Sequence, residues 1–308
     1  MGQGHVGEAD LGRYSAQRHV SSQGRQDDDG GDGAGQDHRA RRRVGCRVVG
    51  PDAVGTRCPS RRTGAWRRTA PGLGRAPIGA LARKVAGLKP FPPLSGPGVD
   101  IPSTPFALWL WLRGDDRGEL LHRARHIETA LAPAFTLADS WDAFKHDGGR
   151  DLSGYEDGTE NPEGDAATAA AIAADGSSFV AVQRWTHNFS HFEAMQPEER
   201  DHCIGRRRSD NEELDDAPES AHVKRTAQES FTPEAFLVRR SMPWAEGRNA
   251  GLMFVAFGHS VDAFQAQMRR MLGLEDGIVD ALFRFTRPVS GAYFWCPPMV
   301  GGKLALPA

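Results

Sequence analysis

Apolar positions along this chain fall into two regimes that meet near Val85. Before that point neither alternation nor a 3.6-residue period persists beyond a few residues. After it, apolar runs of strand length alternate with amphipathic stretches. Phe106–Leu112 is an apolar, aromatic run that predicts a strand. Glu119–Leu131 carries Leu120, Leu121, Ala124, Ile127 and Leu131 on one face, which predicts a helix. Phe135–Phe144 reads as another strand, and the Pro-rich Lys89–Pro105 as a connection.

A second set follows. Ser178–Trp185, with Phe179, Val180, Ala181 and Val182, predicts a buried strand. Phe192–Ile204 predicts a helix ended by Gly205. Phe236–Arg240 and Leu252–Phe257 predict two strands joined through a Gly/Asn-rich turn. Ser260 is placed to cap a helix with Phe264, Met268, Met271 and Leu272 on one side, stopped by Gly273. Asp276–Phe283 predicts one more short helix. This order predicts an α+β fold with antiparallel sheets and peripheral helices. The two sets read as a weak internal repeat, 86–150 and 151–308, whose first copy is incomplete.

Composition changes the picture mainly at the N-terminus. Residues 1–85 contain no Phe and a single Lys, Lys84, while Arg, Gly, Ser, Gln and Asp dominate. Such a segment buries too little apolar surface to offset its ordering entropy, so it reads as disordered. Arg-rich text such as Arg61–Arg68 also reads as translation from a shifted frame. The formal net charge of −2 lacks the basic excess of a nucleic-acid binder. No run approaches the length of a membrane span, and the first residues show neither a basic nor an apolar signal region. Cys46, Cys58, Cys203 and Cys296 form no C-x-x-C pair and no zinc spacing. The expectation is free thiols in a cytoplasmic protein.

The stretch Gly154-Tyr155-Glu156-Asp157-Gly158-Thr159-Glu160-Asn161-Pro162 is Gly-rich and acidic. Its spacing does not match a calcium-binding helix–loop–helix. Glycines flanking Asp157 let the backbone approach something flat and bulky without Cβ interference.

This stretch resembles the G-x-x-D-G motif of dye-decolourising haem peroxidases. Further segments agree in order: Val182–His187, Ile204–Arg206, Glu213–Asp216, Ala221-His222, Val238–Pro243, Gly251–Phe254 and Val289–Phe294. The resemblance covers roughly Ile101–Pro298 and points to the compact bacterial subgroup. It implies paired ferredoxin-like repeats, haem b (iron protoporphyrin IX) as cofactor, and hydrogen peroxide with a small or bulky reducing donor as substrates. It also implies a homo-oligomer and no nucleic-acid or membrane partner. His222 matches the proximal iron ligand, and Asp280 the acidic residue that orients it. Asp157 matches the distal carboxylate that moves peroxide's proton. Arg239 fits the cation that stabilises charge on the departing oxygen. Arg240 is adjacent; spacing from His222 and the following Ser241-Met242-Pro243 favours Arg239. Ser241 would share its face and hold distal water.

Arg206 is the candidate partner for the propionates. Glu156, Gly158 and Thr159 flank Asp157 at the pocket, and Leu252, Phe254, Phe264, Met268, Ile278 and Leu282 are candidates to cover the porphyrin. His187, His191, His202 and His259 are less well placed than His222. Two other readings stand beside peroxidase: a non-catalytic haem-handling or iron-releasing protein, and an inactive remnant of the family.

Overall fold

The computed structural model describes residues 85–306 and, before them, the backbone of two strands. All belong to the unit Arg43–Ala308. Of the segment 1–85, expected to be disordered or misframed, everything else but Val85 lies outside the described residues. The two early strands are β1 (Arg47–Val49) and β2 (Arg62–Arg68). A small hairpin follows, β3 (Leu94–Gly96) and β4 (Val99–Ile101). Next come β5 (Leu108–Leu112), helix α1 (Arg117–Leu131) and β6 (Phe135–Asp142). The sequence pattern anticipated these last three within a few residues. Asp116 caps α1 by accepting from the Glu119 N–H. One antiparallel sheet runs β1-β5-β2-β6.

The second half opens with α2 (Gly164–Ala171) and the long strand β7 (Ser178–His187). Three short helices follow, α3 (Phe189–Ala194), α4 (Pro197–Ile204) and α5 (His222–Arg225). Then come β8 (Val238–Arg239), β9 (Met242–Glu246), β10 (Asn249–Gly258), α6 (Asp262–Met271), β11 (Thr286–Pro288) and β12 (Ala292–Cys296). The antiparallel sheet runs β11-β7-β10-β8, with β12 also on β7 and β9 on β10.

Strand alternation sorts this sheet's two faces. Phe179, Ala181 and Trp185 join Phe264, Met268, Met271 and Leu272 of the α6 segment in one core. Val180, Val182, Val255 and Phe294 form the other core with Trp109 of β5. Trp109 lies 5.9 Å from Phe294 and Trp111 lies 6.1 Å from Phe257, ring centre to ring centre, so aromatic contacts tie the two sheets together.

Three elements differ from the sequence pattern, each for a local reason. The helix expected over Phe192–Ile204 is two helices, because Pro197 cannot continue the first and starts the second. The expected hairpin is a β9–β10 pair turning at Gly247 (φ 59°), with β8 further along the same edge of β10, opposite β7. Asp276–Phe283 is not a helix: Asp276 bonds its own Ile278 N–H at 3.0 Å and Gly277 is left-handed (φ 80°). Only a 3-10 turn, Ala281–Arg284, forms, and Asp280 caps it.

Candidate active site

One cavity opens against α6, β10 and the end of β7. Its walls are mostly apolar, including Trp185, Leu252, Phe254, Phe264, Met268 and Leu282. Polar groups enter from three places.

The first is His222, at the start of α5. Its Nδ1 lies 2.8 Å from Asp280 Oδ2, and Asp280 is 1 % exposed. The other oxygen, Oδ1, accepts from Leu282 N–H at 2.8 Å. A carboxylate only accepts, so His222 carries its proton on Nδ1 and its Nε2 lone pair is open. Nε2 has no hydrogen-bond partner among the described residues, and His222 lines the cavity. The local fold fixes this histidine. Ala281 N–H donates to the Ser220 carbonyl at 2.7 Å, joining the two segments that bear His222 and Asp280. Arg225 is buried and grips Asp276 at 2.7 and 2.8 Å and the Arg270 carbonyl at 2.7 Å. Gly205 (φ 91°) leaves room for α5, since a Cβ there would lie 2.3 Å from Val223 Cγ2.

The second is the pair Asp157–Arg239, whose Oδ1 and Nε are 3.8 Å apart. Both line the cavity. Asp157 sits on a loop between two left-handed glycines, Gly154 (φ 90°) and Gly158 (φ 80°). Neither tolerates a side chain: a Cβ on Gly154 would strike Arg208, and one on Gly158 would meet Asn161 Nδ2 at 2.8 Å. Asn161 then reaches β8, bonding the Arg239 main chain at both its N–H and its carbonyl.

The third is His187, whose Nε2 is 3.0 Å from Asp151 Oδ1 and whose Nδ1 is 2.7 Å from Thr286 Oγ1. Burial pushes the Asp151 carboxyl up, but His187 and the Ser153 hydroxyl and amide outweigh it, and the net shift is downward. Near this loop, Tyr155 OH donates to Asp201 at 2.5 Å, and burial together with that carboxylate pushes the phenol's pKa far up.

The family profile described as Dyp-type peroxidase, C-terminal, matches residues 148–301, half of the chain. The chain belongs to the Dyp-type peroxidase family. A dye-decolorizing peroxidase of Mycobacterium tuberculosis is 32% identical over 68% of this chain and 66% of its own length. Another, from Rhodococcus erythropolis, is 31% identical over 69% of this chain and 66% of its own. The chain thus spans just under two thirds of these relatives. Among solved structures, a DypB variant from Rhodococcus jostii in complex with haem matches with a TM-score of 0.68 and 26% identity, over 78% of this chain and 94% of that one. A dye-decolorizing protein from V. cholerae matches with a TM-score of 0.66 over 82% of this chain and 94% of that one. At 24% identity it shows the fold alone.

Of the residues expected at the Dyp-type pocket, the structure gathers Asp157, Arg239, Glu156, His222, Leu252, Phe254, Phe264, Met268 and Leu282 around one cavity, with Asp280 behind His222. Glu156 accepts from Arg150 at 2.7 Å. Thr159 and Arg206 line an adjoining cavity that shares Asp157, His222 and Arg239. Arg206 is engaged there by Glu160 at 2.6 Å, Glu213 at 3.1 Å and the Asn211 carbonyl at 3.0 Å. Its guanidinium thus has two carboxylate partners beside the cavity it lines.

Apart from Asp280, three expected residues, Ser241, Ile278 and Gly158, line neither cavity. The Ser241 hydroxyl turns to the Val255 N–H at 3.3 Å. Ile278 lies in the turn that replaces the expected helix, half-buried and away from the lining. Sequence reasoning weighed His187 only as a rival to His222, although it falls two residues after Trp185 and so on the same strand face. Asn161 lay within the motif, but its partner is 78 residues away.

Proposed function

We propose that this chain is a haem peroxidase that reduces hydrogen peroxide and draws electrons singly from a reducing donor. The observation that carries the reading is one cavity walled by two kinds of group. One is an imidazole oriented by a buried carboxylate; the other is a carboxylate–guanidinium pair. An open Nε2 in a mostly apolar cavity fits an iron porphyrin in its donor chemistry, and His222 would hold the iron. Among the described residues no cysteine lines the cavity, which favours non-covalent haem b. The buried thiol of Cys203, in no disulfide among the described residues, supports a cytoplasmic setting.

Bound haem supplies the iron at which the O–O bond is cleaved. The chain's own groups do the rest. Asp280 keeps the proton on Nδ1 and fixes the ring, making His222 a stronger donor. Asp157 accepts a proton from the near oxygen of peroxide and returns it to the departing one. Arg239 stabilises negative charge as that oxygen leaves. Overall, peroxide takes up two electrons and two protons to give two waters, and two donor molecules each lose one electron. Small donors enter the cavity, and bulky ones, dyes included, give electrons from its mouth.

Reconstitution with haem tests the reading. The wild-type chain is expected to bind one haem with a sharp Soret band and to bleach a dye only when peroxide is added. His222→Ala is expected to lose that band. An unchanged band in His222→Ala, or no dye oxidation by the loaded wild type, overturns it.

A further inference from the structure

The third polar group on the cavity wall takes no part in the steps above. His187 ends β7, and its side chain is 5% exposed. Its Nδ1 bonds the Thr286 hydroxyl at 2.7 Å and its Nε2 bonds Asp151 Oδ1 at 3.0 Å, so the ring bridges the loop that bears Asp151 to the strand that bears Thr286. The rings of Phe189 and Phe285 lie 5.6 and 6.0 Å from the imidazole and keep the His187–Asp151 contact away from bulk water.

Asp151 is the knot of the loop that presents Asp157. Its second oxygen accepts from the Ser153 N–H at 2.8 Å and from the Ser153 hydroxyl at 2.5 Å. Its own N–H donates to the Tyr155 carbonyl at 2.9 Å, and its carbonyl accepts from the Gly154 N–H at 2.8 Å. His187 therefore ties the near end of this loop to the strand at the sheet's centre, while Asn161 ties the far end to Arg239. Asp157 is carried between the two anchors.

We infer that His187 is a positioning residue: by holding Asp151 it fixes the loop that aims the Asp157 carboxylate at peroxide. The inference rests on the peroxidase reading and on the role given there to Asp157. If the His187–Asp151 contact served stability alone, its loss would lower the melting temperature without acting through Asp157.

The test uses the full chain loaded with haem, in five forms: wild type, His187→Ala, His187→Gln, Asp157→Ala and the His187→Ala/Asp157→Ala double variant. Hydrogen–deuterium exchange is read over residues 151–157, and the peroxide-dependent change in the haem spectrum gives a second-order rate constant. In His187→Ala the loop is expected to exchange faster while β10 does not. The rate constant is expected to fall by about tenfold or more, since small misplacements of a reacting group carry costs of this order. His187→Gln keeps a donor toward Asp151 and should recover part of both. In the Asp157→Ala background, removing His187 should slow the reaction no further. Unchanged loop exchange, or equal losses with and without Asp157, overturns the inference. If Asp157→Ala alone reacts at the wild-type rate, the role of Asp157 falls and this inference with it. That result differs from failure of the inference itself, in which Asp157→Ala is slow and His187→Ala is not.

Discussion

Asn161 holds the main chain of Arg239 at both polar atoms, accepting from its N–H at 2.7 Å and donating to its carbonyl at 3.1 Å. This carboxamide acts as a short strand, joining the Asp157 loop to β8 across 78 residues of sequence. Asn161→Ala leaves two part-buried main-chain groups unpaired. The expected stability loss is about 1–3 kcal/mol, read by thermal or denaturant unfolding. The peroxide rate constant should also fall, because Asp157 and Arg239 lose their common reference. Asn161→Asp keeps the acceptor and loses the donor, and should lie between. A variant with wild-type stability and rate would show that the clamp is dispensable.

Arg239 and Arg240 are neighbours with different surroundings. Arg239 lines the cavity beside Asp157, whereas Arg240 is exposed and its guanidinium, among the described residues, bonds only the carbonyl of Arg239, at 2.8 Å. Arg239→Leu removes the cation from the departing oxygen and should slow the peroxide step by roughly a hundredfold or more. Arg240→Leu should change it by less than about twofold, as expected for a surface substitution. Stopped-flow absorbance with peroxide in excess separates them, and the reverse order would reassign the distal cation.

How much of this was legible in the sequence follows from the range of each signal. Leu252 and Phe254, or Phe264 and Met268, announce their faces through spacing alone, because period 2 and period 3.6 are local properties. The motif residues Asp157 and Arg239 were legible by resemblance. What local pattern does not carry is who meets whom. Nothing around Asn161 points to β8, and nothing around Arg206 predicts that Glu160 and Glu213 converge on it. Helix boundaries failed where one residue overrode a pattern: Pro197 splits a plausible run, and Asp276 with Gly277 unwinds another. His187 was weighed only as a rival to His222 because a histidine earns attention from its partners, and Asp151 and Thr286 are distant in sequence.

Asp280 performs two tasks with its two oxygens, orienting His222 and capping the turn at Leu282. Asp280→Ala should lose both. The cap contributes about 1 kcal/mol to stability. Loss of the partner to a ligating histidine should weaken haem binding by about 10–100-fold. Titration of the apo-chain with haem measures this directly. Asp280→Asn keeps one acceptor oxygen where the carboxylate had two, so it can serve the Leu282 N–H or the His222 Nδ1–H but not both, and its haem affinity is expected to lie between those of the wild type and Asp280→Ala. Wild-type affinity in Asp280→Ala would mean that packing alone orients the ring.

The Asp151 carboxyl gives the fold a pH dependence whose sign can be worked out. Its pKa in the folded chain lies below the ordinary value, because the bonds from His187 and Ser153 outweigh burial. A carboxyl with a depressed folded pKa stabilises the native state fully above its unfolded value, about 3.9. That contribution is lost as pH falls through the folded value, since the unfolded chain then binds the proton first. Unfolding midpoints of the wild type should therefore decline steeply below about pH 4. Asp151→Asn removes the titrating group, so it should start less stable at neutral pH and show a flatter acid limb. The difference between the two curves isolates the Asp151–His187 pair from other carboxylates that also titrate there. Parallel curves, offset by a constant, would mean that the pair is no tighter in the folded chain than hydration is in the unfolded one.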